Sequence, residues 1–217
     1  MRTYLLISIL ACFIPAQANL INDGSFELGT FVDDGNGTDS FNAGPTTITD
    51  WVAVGRQVSW IRSPNPWGLS AQDGTHFLDL TGYASGAPFG GVAQTITTVV
   101  GQPYDLSFYL GSYTQRFGGP PVSILAAAGS TSHTFMVSTT STSSTWTPFS
   151  MLFTATSANT TITLTGAAGV DYIGLDNVNV DLESAVPEPE TWTLMVLGLG
   201  LLLGSIIRQR NKKVANF

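Results

Sequence analysis

The sequence predicts an all-β fold, a jelly-roll-like β-sandwich with an apolar segment beyond each end. Between residues 19 and 182, short segments alternate apolar and polar side chains, the period-two signature of half-buried strands. Clusters of Gly, Pro, Asn and Asp separate these segments, and no stretch between them holds a helical period. About nine strands at such spacing favour two packed antiparallel layers.

The elements follow in chain order. Arg2, an apolar stretch from Tyr4 to Ile14 and the small-x-small tripeptide Ala16-Gln17-Ala18 read as a signal peptide over residues 1–18, cut by signal peptidase before Asn19. The alternative, a lipoprotein cleavage box at Ile9-Leu10-Ala11-Cys12, uses the only cysteine in the chain. With cleavage after Ala18 the mature protein has no thiol and no disulfide.

Residues 19–182 form the predicted ectodomain. Its clearest strand is Tyr104 to Leu110, with Tyr104, Leu106, Phe108 and Leu110 on one face and Asp105, Ser107 and Tyr109 on the other. Similar segments are 58–62, 76–81, 92–98, 122–127, 133–138, 149–154, 160–165 and 172–180. In the last of these the apolar parity switches from Ile173 and Leu175 to Val178 and Val180, which predicts a bulge near Asp176 and Asn177. Trp51 and Trp60 are expected in the core, and the acidic, Gly-rich stretch Asp33 to Asp39 as a mobile loop. The Ser/Thr-rich run 138–147 reads as strand flanks and a connecting loop, the alternative being a modified surface segment.

Three arginines (Arg56, Arg62, Arg116) and no lysine stand against 13 Asp and Glu between residues 19 and 185, a net charge of about −10. No basic stripe exists to neutralise phosphates, so nucleic acid is excluded as a partner and cations are favoured.

After a linker at 183–191 the chain is uncharged from Trp192 to Ile207 and ends in a basic tail at 208–217. At about 1.5 Å per residue the apolar helix spans roughly 24 Å, short of a hydrocarbon core of about 30 Å. Pro187, Glu188, Pro189 and Glu190 are expected to stop it from extending upstream. A transmembrane helix over 192–207 follows, anchored by Trp192 and the cytoplasmic cations Arg208, Arg210, Lys212 and Lys213.

The order Val186-Pro187-Glu188-Pro189, short Leu/Gly helix and basic cluster resembles the PEP-CTERM sorting signal. The resemblance implies recognition by an exosortase, at least transient residence in the inner membrane, and a final location at the bacterial surface or in the extracellular matrix. The other reading of the tail is a single-pass anchor behind a Pro-rich hinge. A second resemblance rests on Asn19-Leu20-Ile21-Asn22-Asp23-Gly24-Ser25-Phe26-Glu27 at one end and Gly174-Leu175-Asp176-Asn177-Val178-Asn179-Val180 at the other. This pairing is similar to galactose-binding-like jelly rolls. Ile48-Thr49-Asp50-Trp51, Val58-Ser59-Trp60-Ile61, Leu78-Asp79-Leu80-Thr81-Gly82 and Gly91-Val92-Ala93-Gln94-Thr95-Ile96 look like choice-of-anchor domains. Extracellular glycan association is what this resemblance implies.

Two candidate sites follow. If the first and last strands are neighbours, as the resemblance implies, Asp23, Glu27 and Asp176 supply hard oxygen ligands for a structural Ca²⁺. The alternative is turn carboxylates, with Glu27 paired to backbone amides. For a sugar, aromatic rings on Gly/Pro-rich loops are the candidates: Trp67, Tyr83, Tyr113 and Phe117, with Arg116 bonding hydroxyls. The alternative for each ring is to cover the edge of the core.

Catalytic signatures are missing from the sequence. Its two histidines, His76 and His133, lie far apart, no serine sits in a nucleophile elbow, and Asp73 and Asp79 read as turn and strand residues rather than a glycosidase pair. The expected function is therefore a non-catalytic, exported surface protein that binds extracellular polysaccharide. The alternatives are a purely structural or adhesive surface protein and, more distantly, a glycan-degrading enzyme.

Overall fold

The computed structural model describes residues 19–66, 68–83, 87–113, 120–138, 144–169, 172–183 and 189–214, with side chains for 195–208 of the last segment. The chain divides into two compact units, Met1–Glu183 and Ser184–Phe217.

The first unit is all-β. Its strands are β1 (Thr38–Pro45), β2 (Val52–Arg62), β3 (His76–Asp79), β4 (Gly90–Thr97), β5 (Pro103–Ser112), β6 (Val122–Ala128), β7 (Thr131–Val137), β8 (Thr145–Thr154), β9 (Asn159–Ala168) and β10 (Gly174–Leu182). They run β7-β6-β9-β4-β2-β3-β10-β5-β8, with β1 added to β2, and every described pairing is antiparallel. The sheet doubles over into a sandwich and its end strands meet through side chains, Phe135 of β7 lying 5.1 Å from Phe149 of β8 and 5.4 Å from Phe108 of β5, ring centre to ring centre.

Alternation places the core. Trp60, Leu78, Leu106, Phe108, Leu110, Ile124, Ile162, Leu164, Leu175 and Val180 point inward and are essentially inaccessible to water. Both expected core tryptophans are there, and their indole N–H groups tie down the entry segment: Trp51 donates to the Asp23 carbonyl and Trp60 to the Phe26 carbonyl, each at 2.9 Å. The predicted bulge is present, the β10–β5 register shifting between Asp176 and Asn179. Asn177 there takes a left-handed φ of 49°, a conformation that Asn tolerates better than most residues.

Three expectations need correction. Asp33 to Asp39 is a built turn that leads into β1. The Asp33 carboxylate accepts the Gly35 and Gly37 amides, each at 3.0 Å, and pairs with Arg62 at 3.1 Å. Asn36 and Gly37 both hold positive φ, a conformation that costs glycine no Cβ clash and that Asn tolerates better than most residues. Second, strand β2 begins at Val52, six residues before its predicted start, and β1 was not expected. Third, the helix of the second unit, α1 (Pro189–Val214), runs beyond the apolar stretch at both ends. Pro189 does not block it, because a proline in the first helical turn gives up no intrahelical bond, and the basic cluster continues the helix instead of forming a separate tail. Among the described residues no helix is long and apolar enough to cross a membrane.

Trp60 joins the main core to the entry segment. Replacing it with Ala is expected to lower the unfolding free energy by about 3–5 kcal/mol, read as a shift of the denaturant midpoint at constant slope.

Candidate functional site

The outer surface of β2, β3, β10, β5 and β8 is divided in two. Over β2 and β3 lies a second apolar cluster, Ile61, Leu69, Phe77 and Tyr172, with Ala71, Tyr113 and Trp146 packed against it. Ile61 and Phe77 are register partners one residue out of phase with the core pair Trp60 and Leu78, so they point away from the main core. Leu69 and Ala71, from the loop that follows β2, cover this cluster.

Two carboxylates from distant parts of the sequence hold that loop. Glu27 accepts the Thr75 amide at 2.8 Å, the His76 amide at 2.6 Å and the Thr75 hydroxyl at 2.8 Å, with His76 Nδ1 3.2 Å away. Burial alone would raise the Glu27 carboxyl, but these donors outweigh it and hold it below its ordinary value. Asp176, fully buried in the bulge, accepts the Gln72 amide at 2.8 Å and the Asp73 amide at 3.0 Å with one oxygen and the Asn177 amide at 2.7 Å with the other. Desolvation pushes Asp176 up to about 7 against those three amides, with a smaller push from the Asp73 charge. Asp23, whose Oδ1 accepts the Glu27 and Leu28 amides, is pushed up to about 6, chiefly by burial.

The other half of the surface, over β10, β5 and β8, is polar and carries no roof among the described residues. Register sets its side chains in rows. Asp181, Asp105 and Leu152 form one row, and Asn179, Ser107 and Ser150 the next. Tyr109 and Pro148 follow beside the bulge, and Gly174, Gly111 and Trp146 close the series. At about 3.4 Å per residue the rows extend for roughly 20 Å. Asp105, Ser107, Tyr109, Asn179 and Asp181 are each partly exposed. Trp146 lies over two glycines: a Cβ on Gly111 would come within 2.6 Å of its ring and one on Gly174 within 3.0 Å. Its indole donates to the Ser70 carbonyl at 2.9 Å, joining the polar half to the roofed half. The Asn179 amide bonds Asp181 Oδ2. Asp105 Oδ1 and Asp181 Oδ1 are screened from solvent yet have no hydrogen-bond partner, a costly state for a carboxylate oxygen.

The candidate residues taken from the sequence are distributed differently. The two ends of the domain do meet: Asn19 Oδ1 accepts the Val180 amide at 3.0 Å, and the Val178 amide donates to the Gly24 carbonyl at 2.8 Å. Asp23, Glu27 and Asp176, the carboxylates expected to hold a calcium ion, all lie close to this junction or to the loop it supports. Each is occupied by backbone amides, and among the described residues no group of three His, Cys, Asp or Glu side chains is placed to hold a metal. Of the residues proposed to bind a sugar, Tyr83 and Tyr113 are among those described. Tyr83 is exposed but tied to Asp34 and Gln57 near β1 and β2, whereas Tyr113 packs against Tyr172 and over Gly68. Tyr113 thus covers the small cluster, as its alternative reading held. Trp67, Arg116, Phe117 and the sorting residues Val186, Pro187 and Glu188 lie outside the described residues, as do the side chains of Pro189, Arg210, Lys212 and Lys213.

Residues 19–172 match the family described as protein of unknown function, DUF642. The chain belongs to the DUF642 family. Residues 185–211 match the PEP-CTERM protein-sorting motif, so the expected sorting signal is present behind the DUF642 domain. No curated protein matches the chain. Solved structures with a similar fold include TmCBM61 in complex with beta-1,4-galactotriose, at 15% identity over 76% of this chain and 99% of that one, with a TM-score of 0.47. A family 35 carbohydrate-binding module from Clostridium thermocellum shows 14% identity over 68% and 98%, with a TM-score of 0.43. The enzymatically active domain of tailspike protein 4 from bacteriophage CBA120 shows 14% identity and a TM-score of 0.47 over 76% of this chain, which spans 21% of that structure. At such identities and scores these likenesses carry no information about ligand or activity.

The polar rows of the DUF642 domain were not singled out as a site from sequence, although the alternation that places Asp105, Ser107 and Tyr109 on one face was visible. What sequence did not show is that β10 lies beside β5 and sets Asp181 against Asp105.

Asp23, Asp176 and Asp39, the last also raised by burial and by its neighbours Asp34 and Asp33, bind protons more tightly folded than unfolded. Their contribution to stability is full below the unfolded carboxyl value of 3.8 and is lost as pH rises through about 6 to 7. Glu27 acts in the opposite sense, but only below 4.5. The melting temperature of the DUF642 domain is expected to fall between about pH 5 and pH 8, and Asp176→Asn to flatten that fall. Equal slopes in the two proteins would remove Asp176 from the titration.

Proposed function

We propose that this is an exported bacterial surface protein, processed by an exosortase at its PEP-CTERM tail, whose DUF642 domain binds extracellular polysaccharide without catalysis on the polar rows of β10, β5 and β8. The observation that carries the reading is a continuous face of partly exposed carboxylate, hydroxyl and amide side chains, Asp105, Ser107, Asn179 and Asp181 among them, bordered by Tyr109 and Trp146. Sugar hydroxyls bond those exposed polar groups, and the rings offer apolar surface to sugar C–H groups. Asp79 is poorly suited to acid–base work, since its carboxylate holds the Thr81 and Ile173 amides at 3.0 and 3.1 Å. The exposed apolar side chains from Met195 to Ile207 on α1 support a membrane-directed tail, held at the inner membrane until cleavage.

Retention on polysaccharide tests the site. Tyr109→Ala and Asn179→Ala are each expected to weaken binding by about tenfold, the equivalent of roughly 1.4 kcal/mol, with the melting temperature nearly unchanged. Unaltered retention in both variants would move the site off this face, and failure of the wild type to bind any of a broad glycan panel would favour the structural or adhesive reading. For sorting, Pro187→Ala with Pro189→Ala is expected to leave full-length protein in the inner-membrane fraction. Mass spectrometry that recovers an intact wild-type C-terminus from the final cell fraction would point instead to a permanent anchor.

A further inference from the structure

The turn between β4 and β5 presents two valines to solvent. Val99 and Val100 are 62% and 61% exposed, so neither serves the core, although turns are ordinarily built from Gly, Pro, Asn, Asp and Ser. The turn itself is firmly held. Gln102 donates its amide to the Val99 carbonyl at 3.0 Å, and Gly101 takes a φ of 82°, the left-handed conformation that a type II turn requires at its third residue. The Val99 amide donates to the Tyr104 hydroxyl at 2.9 Å, the Gly101 amide to the Ala155 carbonyl at 2.8 Å, and the Thr98 hydroxyl to the Ser157 carbonyl at 2.9 Å. A fixed apolar tip results.

The end of the sandwich around this tip has an unusual electrostatic character. The turns β4–β5, β6–β7 and β8–β9 lie together there, because Thr97 pairs with Asn159, Pro103 with Thr154, and the Gly129 amide bonds the Thr161 carbonyl. No Asp, Glu, Lys or Arg occurs from Leu80 to Tyr104 or from Phe117 to Val170, so all three turns are uncharged in a strongly acidic domain. Only the β10 corner of this end carries carboxylates, Asp105, Asp181 and Glu183. The chain also leaves the domain here: the Glu183 amide donates to the Pro103 carbonyl at 2.9 Å, at the base of the valine turn. Residues 184–188 then precede α1. Fully extended, they reach roughly 20 Å, and α1 carries exposed apolar side chains from Met195 to Ile207. A bilayer that receives those side chains therefore comes close to the tip by chain length alone.

We propose that, while the tail is uncut, this end of the DUF642 domain rests on the lipid bilayer with Val99 and Val100 inserted at the boundary between headgroups and acyl chains. The proposal rests on the membrane-directed reading of the tail given above and adds a second, reversible contact to it. Two valine side chains hold a free protein to a membrane only weakly, but a tethered domain meets the surface at high effective concentration. Contact therefore belongs to the uncleaved form and ends with processing. The carboxylates at the β10 corner are repelled by anionic headgroups, so a zwitterionic surface is favoured and insertion is apolar in character.

The test places an environment-sensitive fluorophore on Val100→Cys in the protein with its tail intact, made with Cys12→Ser so that a single thiol is present. The protein is reconstituted in vesicles of phosphatidylcholine, or of equal parts phosphatidylcholine and phosphatidylglycerol. Val32→Cys is the control, since Val32 is equally exposed at 61% but lies next to Asp33, which pairs with Arg62 at the other end of β2. The expected result is a blue-shifted Val100 probe, quenched by a nitroxide lipid severalfold more than the Val32 probe. Quenching should be stronger in phosphatidylcholine than in the mixed vesicles and should survive high salt. With the probe moved to Ala158→Cys on the neighbouring turn, Val99→Asp with Val100→Asp is expected to abolish quenching and to leave the melting temperature nearly unchanged, because both side chains are exposed. Equal quenching at Val100 and Val32 in protein that still floats with the vesicles would overturn the tip contact and leave the tail reading standing. Protein that does not float with vesicles at all would bring down both. A blue shift that no lipid quencher reaches and that grows with protein density would assign the valines to a second copy of the chain and overturn the proposal.

Discussion

The outer surface of this domain depends on two carboxylates accepting backbone amides from a single loop. Glu27 comes from the entry segment and Asp176 from the last strand, and between them they hold residues 72–76 by four amide bonds. A fifth, from Asn177, stays within the bulge and orients Asp176 itself. Charge-assisted bonds to amides are among the stronger hydrogen bonds available to a protein, and in a domain without cysteine or lysine they replace the usual cross-links. The loop in turn places Leu69 over Phe77 and Tyr172 and presents the Ser70 carbonyl to Trp146. Release of either carboxylate would expose an apolar cluster and free the indole that borders the polar rows.

The same arrangement explains where the aromatic rings went. Loops rich in Gly and Pro that carry Trp and Tyr suggest exposed platforms, but a loop able to fold back over a sheet gains about 25 cal/mol for each Å² of apolar surface it covers. Tyr113 follows that gradient onto the small cluster. The ring left at the border, Trp146, sits where it does because neither Gly111 nor Gly174 has a Cβ to displace it. Its position therefore reflects two glycines on neighbouring strands more than its own flanking sequence.

Much of the fold was legible because its signal is local. Tyr104 to Leu110 alternates without interruption, and the parity switch in the last strand marks a bulge that the β10–β5 register contains. Strand β1 was hidden by Asn42, Gly44 and Pro45, which read as a turn, and by a face only partly covered. The first half of β2 was hidden by Gly55, whose φ of 74° interrupts the pattern. The candidate surface was harder to read because its components come together only through topology. Asp105 and Asp181 are far apart in sequence, and their opposition depends on β10 inserting between β3 and β5. The carboxylates that did attract attention, Asp23, Glu27 and Asp176, have partners that no side-chain pattern reveals, because backbone amides are present at nearly every residue.

The central place of β10 has a mechanical meaning. By chain continuity, tension arriving from the C-terminal unit enters the domain at this strand. An edge strand under such tension can peel away one bond at a time. Strand β10 is instead paired with β5 along most of its length and with β3 at its start, and the entry segment adds bonds from Leu20 to Val180 and from Val178 to Gly24. Drawing it out requires these attachments to fail together, in the interior of the sheet. Resistance to force is governed by the height of that barrier and not by equilibrium stability, so a strand placed this way can hold against tension that would strip one from the edge of the sheet.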